Sequence, residues 1–197
     1  MSKNTIEYYN NNAKEYFNLT VGADMSKQYK LFLKYLVNKG KILDFGCGSG
    51  RDALYFKKIG YDVDAIDGSK ELCRIASAYT GIDVKCMDFK ELDVDSIYDG
   101  IWACSSLVHV NRKDLLEILK KLNRALKYNG IIYIAIKSGD GEENLLDGRY
   151  YSYLNRKTFE KIIIPLGFEI IEFLDTKSVI SKEEKRSWNS YILKKVI

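Results

Sequence analysis

The sequence predicts an α/β fold: a doubly wound, seven-stranded sheet with helices on both faces, mostly parallel and closed by an antiparallel C-terminal strand pair. Three observations predict it. The run Ile42-Leu43-Asp44-Phe45-Gly46-Cys47-Gly48-Ser49-Gly50 joins an apolar strand to a helix through glycines at alternate positions. Strand-like and helical runs alternate after it, the pattern of a parallel sheet whose crossover helices cover both faces. The last two strand-like runs are joined only by a turn-like, charged link. Without a helix that link cannot supply a right-handed parallel crossover, so the pair is expected to be an antiparallel hairpin.

Each element has its own signal. Ile6, Tyr9, Ala13, Tyr16 and Phe17 fall at helical spacing, as do Tyr29, Phe32, Leu33, Leu36 and Val37, so two helices precede the first strand. After the glycines a helix runs from about Arg51 to Ile59. Strand Tyr61–Ile66, a helix from Ser69 to Tyr79, and strands Ile82–Met87 and Tyr98–Cys104 follow. A helix with Leu115, Leu119, Leu122 and Leu126 on one face reaches its stop at Asn129-Gly130, and Ile131–Lys137 is the next strand. A helix around Phe159–Ile164 stops near Pro165 and Gly167. Strands Phe168–Asp175 and Trp188–Lys194 close the sheet.

Composition excludes several classes of function. The chain of 197 residues suits one domain, and 46% hydrophobic with 29% charged residues describes a globular protein. With 31 basic against 27 acidic residues the charge is too balanced to predict a phosphate-binding surface, so nucleic acid is not an expected partner. No apolar run approaches the roughly 18 residues of a membrane span, and the N-terminus lacks the apolar core of a signal peptide, so no membrane partner is expected. Cys47, Cys73, Cys86 and Cys104 are spaced as neither a metal pair nor a redox motif. Reduced thiols, a cytoplasmic location and no metal are the expectation.

Glycine at alternate positions admits φ > 0 and lets a ligand come to contact distance, and the following helix aims its first N–H groups at the same place. A dinucleotide fingerprint spaces its glycines G-x-G-x-x-G, whereas here the third comes one residue early and Arg51 stands at the expected position. G-x-G-x-G with Asp44 two residues ahead resembles motif I of the class I S-adenosylmethionine-dependent methyltransferases. The lead-in Tyr8-Tyr9-x-x-x-Ala13-x-x-Tyr16 and the run Trp102-Ala103-Cys104-Ser105-Ser106-Leu107-Val108-His109 extend the resemblance, whose specific part is residues 42–137. It points to small bacterial members of the tellurite-resistance-like type. It implies a Rossmann-like fold, S-adenosyl-L-methionine as cofactor, S-adenosyl-L-homocysteine as product and a small-molecule acceptor with an N, O or S/Se/Te nucleophile. Residues 1–40 then read as an N-terminal helical lid, 41–137 as the cofactor-binding core, and 138–197 as a substrate-side loop and closing hairpin of one domain.

In open α/β sheets ligands lie beyond the carboxyl ends of the strands, so each end is a candidate. The resemblance gives the amino-acid part of the cofactor to the loop of Asp44, Gly46, Cys47, Gly48, Gly50 and Arg51. At the second end, Asp67-Gly68-Ser69, an acid can accept both ribose hydroxyls from a strand end expected to be exposed. Alternatively, Asp67 caps the next helix, which Ser69 can also do. At the third, Met87-Asp88-Phe89, the resemblance implies that the acid takes the adenine amino group while an apolar neighbour packs on the ring. The other reading is an ordinary strand-end turn. The fourth end, Cys104-Ser105 to His109, is implied to run beside the transferable methyl group. No Pro-Cys or acid/Asn-Pro-Pro-aromatic signature of the nucleic-acid enzymes is present, which disfavours Cys104 as a nucleophile. His109, the single histidine, is a candidate general base or a packing residue. The fifth end resembles a substrate-side loop, in which Asp140, Glu142 and Glu143 are able to recognise a cation or are simply solvated, and Lys137 and Trp188 join the substrate side. Tyr16 is implied to touch the methionine end from the lid, or simply packs on the sheet. Direct displacement needs mainly in-line positioning, so no obligatory catalytic residue is legible. A non-catalytic cofactor-binding protein is the alternative, and a nicotinamide-dependent dehydrogenase the third.

Overall fold

The computed structural model describes residues 2–180 and 186–197. In chain order the elements are α1 (Lys3–Asn11), α2 (Ala13–Thr20), α3 (Ser26–Leu33), β1 (Lys41–Phe45), α4 (Arg51–Lys58), β2 (Asp62–Asp67), α5 (Lys70–Thr80), β3 (Lys85–Cys86) and β4 (Tyr98–Cys104). There follow α6 (Arg112–Ala125), β5 (Leu126–Lys137), β6 (Gly141–Asn144), β7 (Tyr150–Tyr153), α7 (Arg156–Ile163), β8 (Phe168–Thr176) and β9 (Trp188–Lys195).

Seven strands form one sheet in the order β3-β2-β1-β4-β5-β9-β8. The first five are parallel, while β9 runs antiparallel between β5 and β8. The order reverses between β1 and β4, and that switch point is where such sheets open a crevice for a ligand. Side chains alternate across β1. Leu43 and Phe45 pack on one face with Ile101, Leu119 and Phe159, and Ile42 packs on the other with Phe32, Phe56, Trp102 and Tyr133. β5 is buried from Ile131 to Ile136 because both of its faces are covered.

Several expectations need correction. The predicted first helix is two, because the chain bends at Asn12, whose side-chain amide donates to the Tyr8 carbonyl at 2.8 Å. The second stops at Leu33, and α3 is no part of a lid, since Tyr29 and Phe32 lie in the core against Trp102. β3 shrinks to Lys85–Cys86. α6 ends at Ala125, because Leu126 already pairs with Tyr98; Asn129, at φ 62°, accommodates a register shift within β5 and stops no helix. The hairpin of β6 and β7 was not predicted. Of the charged link expected before β9, residues 181–185 lie outside the described residues.

Candidate active site

The glycine loop leaves β1 and turns back over the end of β2. Gly46 and Cys47 donate their N–H groups to the Ile66 carbonyl at 3.0 and 2.9 Å. Gly46 stands at φ 81°, and a Cβ there would come within 2.4 Å of the Ser106 Cβ, so the position has both a conformational and a steric reason to be glycine. Asp67 fastens the loop. Its carboxylate accepts the Gly48 N–H at 2.9 Å and the Ser69 N–H at 2.8 Å. The expected exposed strand end is therefore wrong, for Asp67 is only 7% exposed. Burial pushes its carboxyl above the usual range against the pull of the backbone N–H groups of Ser69, Gly48 and Gly68. The capping job belongs to Ser69, which accepts from the Leu72 N–H at 3.2 Å and donates its hydroxyl to Asn10 of α1 at 2.7 Å.

Behind the loop lies a buried charge network. Arg51 grips Asp52 through Nε at 2.6 Å and Nη2 at 2.8 Å, and Asp52 also accepts from the Tyr29 hydroxyl and from Trp102 Nε1 at 2.9 Å. Burial would lower the Arg51 guanidinium, but the Asp52 carboxylate outweighs it and holds it high. Asp44 is 2% exposed, its carboxyl raised by burial and then by Asp52, and its Oδ2 has no hydrogen-bond partner among the described residues. Cys47 is core, and Gly50 packs on Ala76 and Thr80. Of the loop residues singled out in the sequence, Gly46 and Gly48 reach the ligand crevice, while Asp44, Cys47, Gly50 and Arg51 stand behind it.

That crevice is a cavity of about 40 Å³, lined by Gly46, Gly48, Asp67 and Phe89 from the sheet, by Tyr9 and Tyr16 from α1 and α2, and by Cys104, Ser105 and His109. Phe89 stacks on Phe45 with ring centroids 4.1 Å apart. Asp88 caps the short turn Phe89–Glu91, accepting from the Lys90 N–H at 2.9 Å, and Met87 packs against the core; neither lines the cavity, and Gly68 lies beside it at the β2 end. Burial pushes the Cys104 thiol up to about 12, which leaves it protonated and unsuited to nucleophilic attack. Ser105 holds φ 62°, an uncommon conformation for a side-chain-bearing residue and one that clusters at ligand sites.

A larger cavity of about 400 Å³ shares Tyr9, Tyr16, Ser105 and His109 with the first. Tyr8, Tyr151, Trp188, Lys137 and Arg149 also line it. Lys137 and Trp188 are thus brought together, Nζ standing 5.4 Å from the indole. Asp140 is not. It is exposed and accepts from Asn155 Nδ2 at 2.6 Å. Glu142 accepts from the Tyr150 hydroxyl and the Arg112 N–H, and Glu143 from the Tyr153 hydroxyl at 2.8 Å, so the three acids serve the hairpin and do not converge on a cation.

The family profile of the methyltransferase domain matches residues 42–130, the span from β1 to the kink in β5. An uncharacterized methyltransferase of Staphylococcus carnosus is 24% identical over 86% of this chain and 84% of its own. The probable S-adenosyl-L-methionine-dependent methyltransferase TehB of Haemophilus influenzae is 25% identical over 53% of this chain and 39% of its own. In fold, the chain resembles the Burkholderia thailandensis 1,6-didemethyltoxoflavin-N1-methyltransferase, solved with its substrate and S-adenosylhomocysteine, at 18% identity. The TM-score is 0.77, with 98% of this chain and 85% of that one covered. The chain is an S-adenosylmethionine-dependent methyltransferase.

Two features of the methyltransferase fit that cofactor: the Asp67 carboxylate on the cavity wall, and a loop backbone left bare at Gly46. His109 of the methyltransferase is 5% exposed and held at both nitrogens. The Tyr150 carbonyl, 2.8 Å from Nδ1, can only accept, so Nδ1 carries the hydrogen and Nε2 accepts from the Tyr9 hydroxyl at 2.8 Å. Burial lowers its pKa to about 4, with Tyr150 opposing and Arg149 adding to the fall. An unfolded histidine titrates near 6.5. Between those values the unfolded chain binds the extra proton, so stability falls as pH drops from about 6.5 through about 4, by up to roughly 3 kcal/mol. Denaturant titrations of wild type and His109→Phe across that window should show stability falling more steeply with acid in the wild type than in the variant, the difference being the His109 contribution; equal slopes would contradict the assignment.

The sequence reading passed over Tyr8, Tyr9, Tyr29, Asp52, Arg149 and Tyr151 as site residues. The two adjacent tyrosines of the lead-in helix were the available signal for the first two, and Tyr150-Tyr151-Ser152-Tyr153, a strand-forming aromatic run, for the last.

Proposed function

We propose that the methyltransferase moves a methyl group to a small-molecule acceptor by direct displacement, with the cofactor in the smaller cavity and an acceptor bearing an N, O or S/Se/Te nucleophile in the larger. The supporting observation is the wall the cavities share, Tyr9, Tyr16, Ser105 and His109, which is where two reacting groups would meet. When bound, S-adenosylmethionine supplies an electrophilic methyl on a positively charged sulfur. Gly46 and Gly48 offer bare backbone to its amino-acid part, Asp67 the remaining lone pairs of its carboxylate to the ribose, and Phe89 a ring face to the adenine. In this reading α1 and α2 form the lid. Thr5 accepts from the Tyr150 N–H at 2.9 Å, Tyr9 holds His109, and Asn10 holds Ser69. His109, neutral and occupied at both nitrogens, anchors the lid and does not act as general base. A cytoplasmic site of action belongs to the same proposal, supported by four cysteines present as free thiols.

Calorimetry is the direct test. S-adenosylmethionine and S-adenosylhomocysteine should both bind, NAD should not, and Gly46→Val should abolish binding of the first two. Binding of NAD alone would sink the proposal.

A further inference from the structure

We propose that the acceptor is a planar organic acid, bound and methylated as its anion, and that Arg149 is the cation that recognises it. This rests on the assignment of the larger cavity as the acceptor site. Part of its wall is aromatic. Tyr8, Tyr151 and Trp188 stand around a space of about 400 Å³, within the ordinary size of a small-ligand pocket. Among these rings are two cations. The Arg149 guanidinium lies 4.4 Å from the Tyr8 ring centroid, and Lys137 Nζ lies 4.4 Å from that of Tyr151. Arg149 is also fixed in orientation. Asp147 takes Nε at 3.0 Å and Nη2 at 2.6 Å from outside the cavity, while Nη1 donates to the Tyr151 hydroxyl at 3.2 Å on the cavity wall. A guanidinium held this way keeps a planar edge for a carboxylate, enolate or phenolate. The one carboxylate among the described lining residues, Glu15, is exposed to solvent.

A cationic acceptor would meet the Arg149 guanidinium and find the Tyr8 ring face already engaged by it. An anion would be attracted, and its planar body would stack on the tyrosine and tryptophan rings. The same arrangement answers the absence of a base among the groups at the reacting wall, where both His109 nitrogens are taken. A nearby cation stabilises the ionised form of a bound acid, whose proton goes to solvent before reaction. The lone pair of the anion then forms the bond to the methyl carbon as the carbon–sulfur bond breaks and its electrons return to sulfur, so no further proton has to be removed.

The test is calorimetry on protein saturated with S-adenosylhomocysteine, using benzoate, 4-nitrophenolate and 2-mercaptobenzoate against neutral benzamide and cationic benzamidine. At least one acid should bind about tenfold or more tightly than benzamide, and benzamidine should bind no better than benzamide. Arg149→Gln should weaken the acid about tenfold or more and Arg149→Lys less, both with unchanged S-adenosylhomocysteine affinity, which also reports an intact fold. The proposal is overturned if none of the three acids binds, if benzamidine binds as well as the acids, or if Arg149→Gln leaves acid binding unchanged. Should Arg149→Gln fail to fold, the ranking of the ligands on wild type decides. Failure of S-adenosylhomocysteine itself to bind would count against the proposed function instead.

Discussion

Asp52→Ala is expected to destabilise the protein by roughly 3–5 kcal/mol, the cost of stranding one half of a buried ion pair. Asp52 is 6% exposed and is the common acceptor for Arg51, Tyr29 and Trp102, so its loss leaves a guanidinium, a phenol and an indole N–H without their partner. The Tyr29 hydroxyl is already strongly disposed to keep its proton, through burial first and then through Asp52, and has no other acceptor among the described residues. Because buried pairs gain little over apolar residues of similar size, the double variant Arg51→Leu/Asp52→Leu should recover part of what the single variant loses. Urea denaturation of both would show it. A single-variant loss below about 1 kcal/mol, the value of an exposed pair, would mean that the network is solvated in solution.

Asp67→Ala should act twice. Leaving the Gly48 and Ser69 N–H groups without their acceptor should cost about 1–3 kcal/mol of stability for the buried donors. If the carboxylate also holds the ribose, S-adenosylhomocysteine affinity should fall by a further 1.5–3 kcal/mol, about 10–150-fold. Asp67→Asn keeps a carbonyl acceptor and should retain more of the stability than of the binding. Thermal melts and calorimetry separate the two effects, and unchanged affinity in either variant would refute the ribose role.

What the sequence revealed, and what it hid, follows from the range of the forces involved. The glycine loop, β4, the Ser69 cap and the closing antiparallel pair are written in neighbouring residues, and Tyr98–Cys104 falls where the apolar run places it. The network of Asp52 was not legible. Arg51-Asp52 at the start of a helix looks like a solvated surface pair, and its burial depends on Tyr29 and Trp102, distant in sequence. The hairpin of β6 and β7 was hidden for a different reason. Gly139, Gly141 and three acids read as a solvated loop, whereas the hydroxyls of Tyr150 and Tyr153 and the Arg112 N–H supply partners that make a strand of two of those acids. Asp140 was misread with them, and Arg149, beyond the turn, had no local signal at all.

Helix α1 is tied down at three points along its length, by Thr5 to β7, by Tyr9 to His109 and by Asn10 to the cap of α5. Tyr9 and Tyr16, on α1 and α2, border both cavities. Under the lid role proposed for α1, those three hydrogen bonds, reaching three separate elements, have to break together, which couples access to the two cavities in one movement.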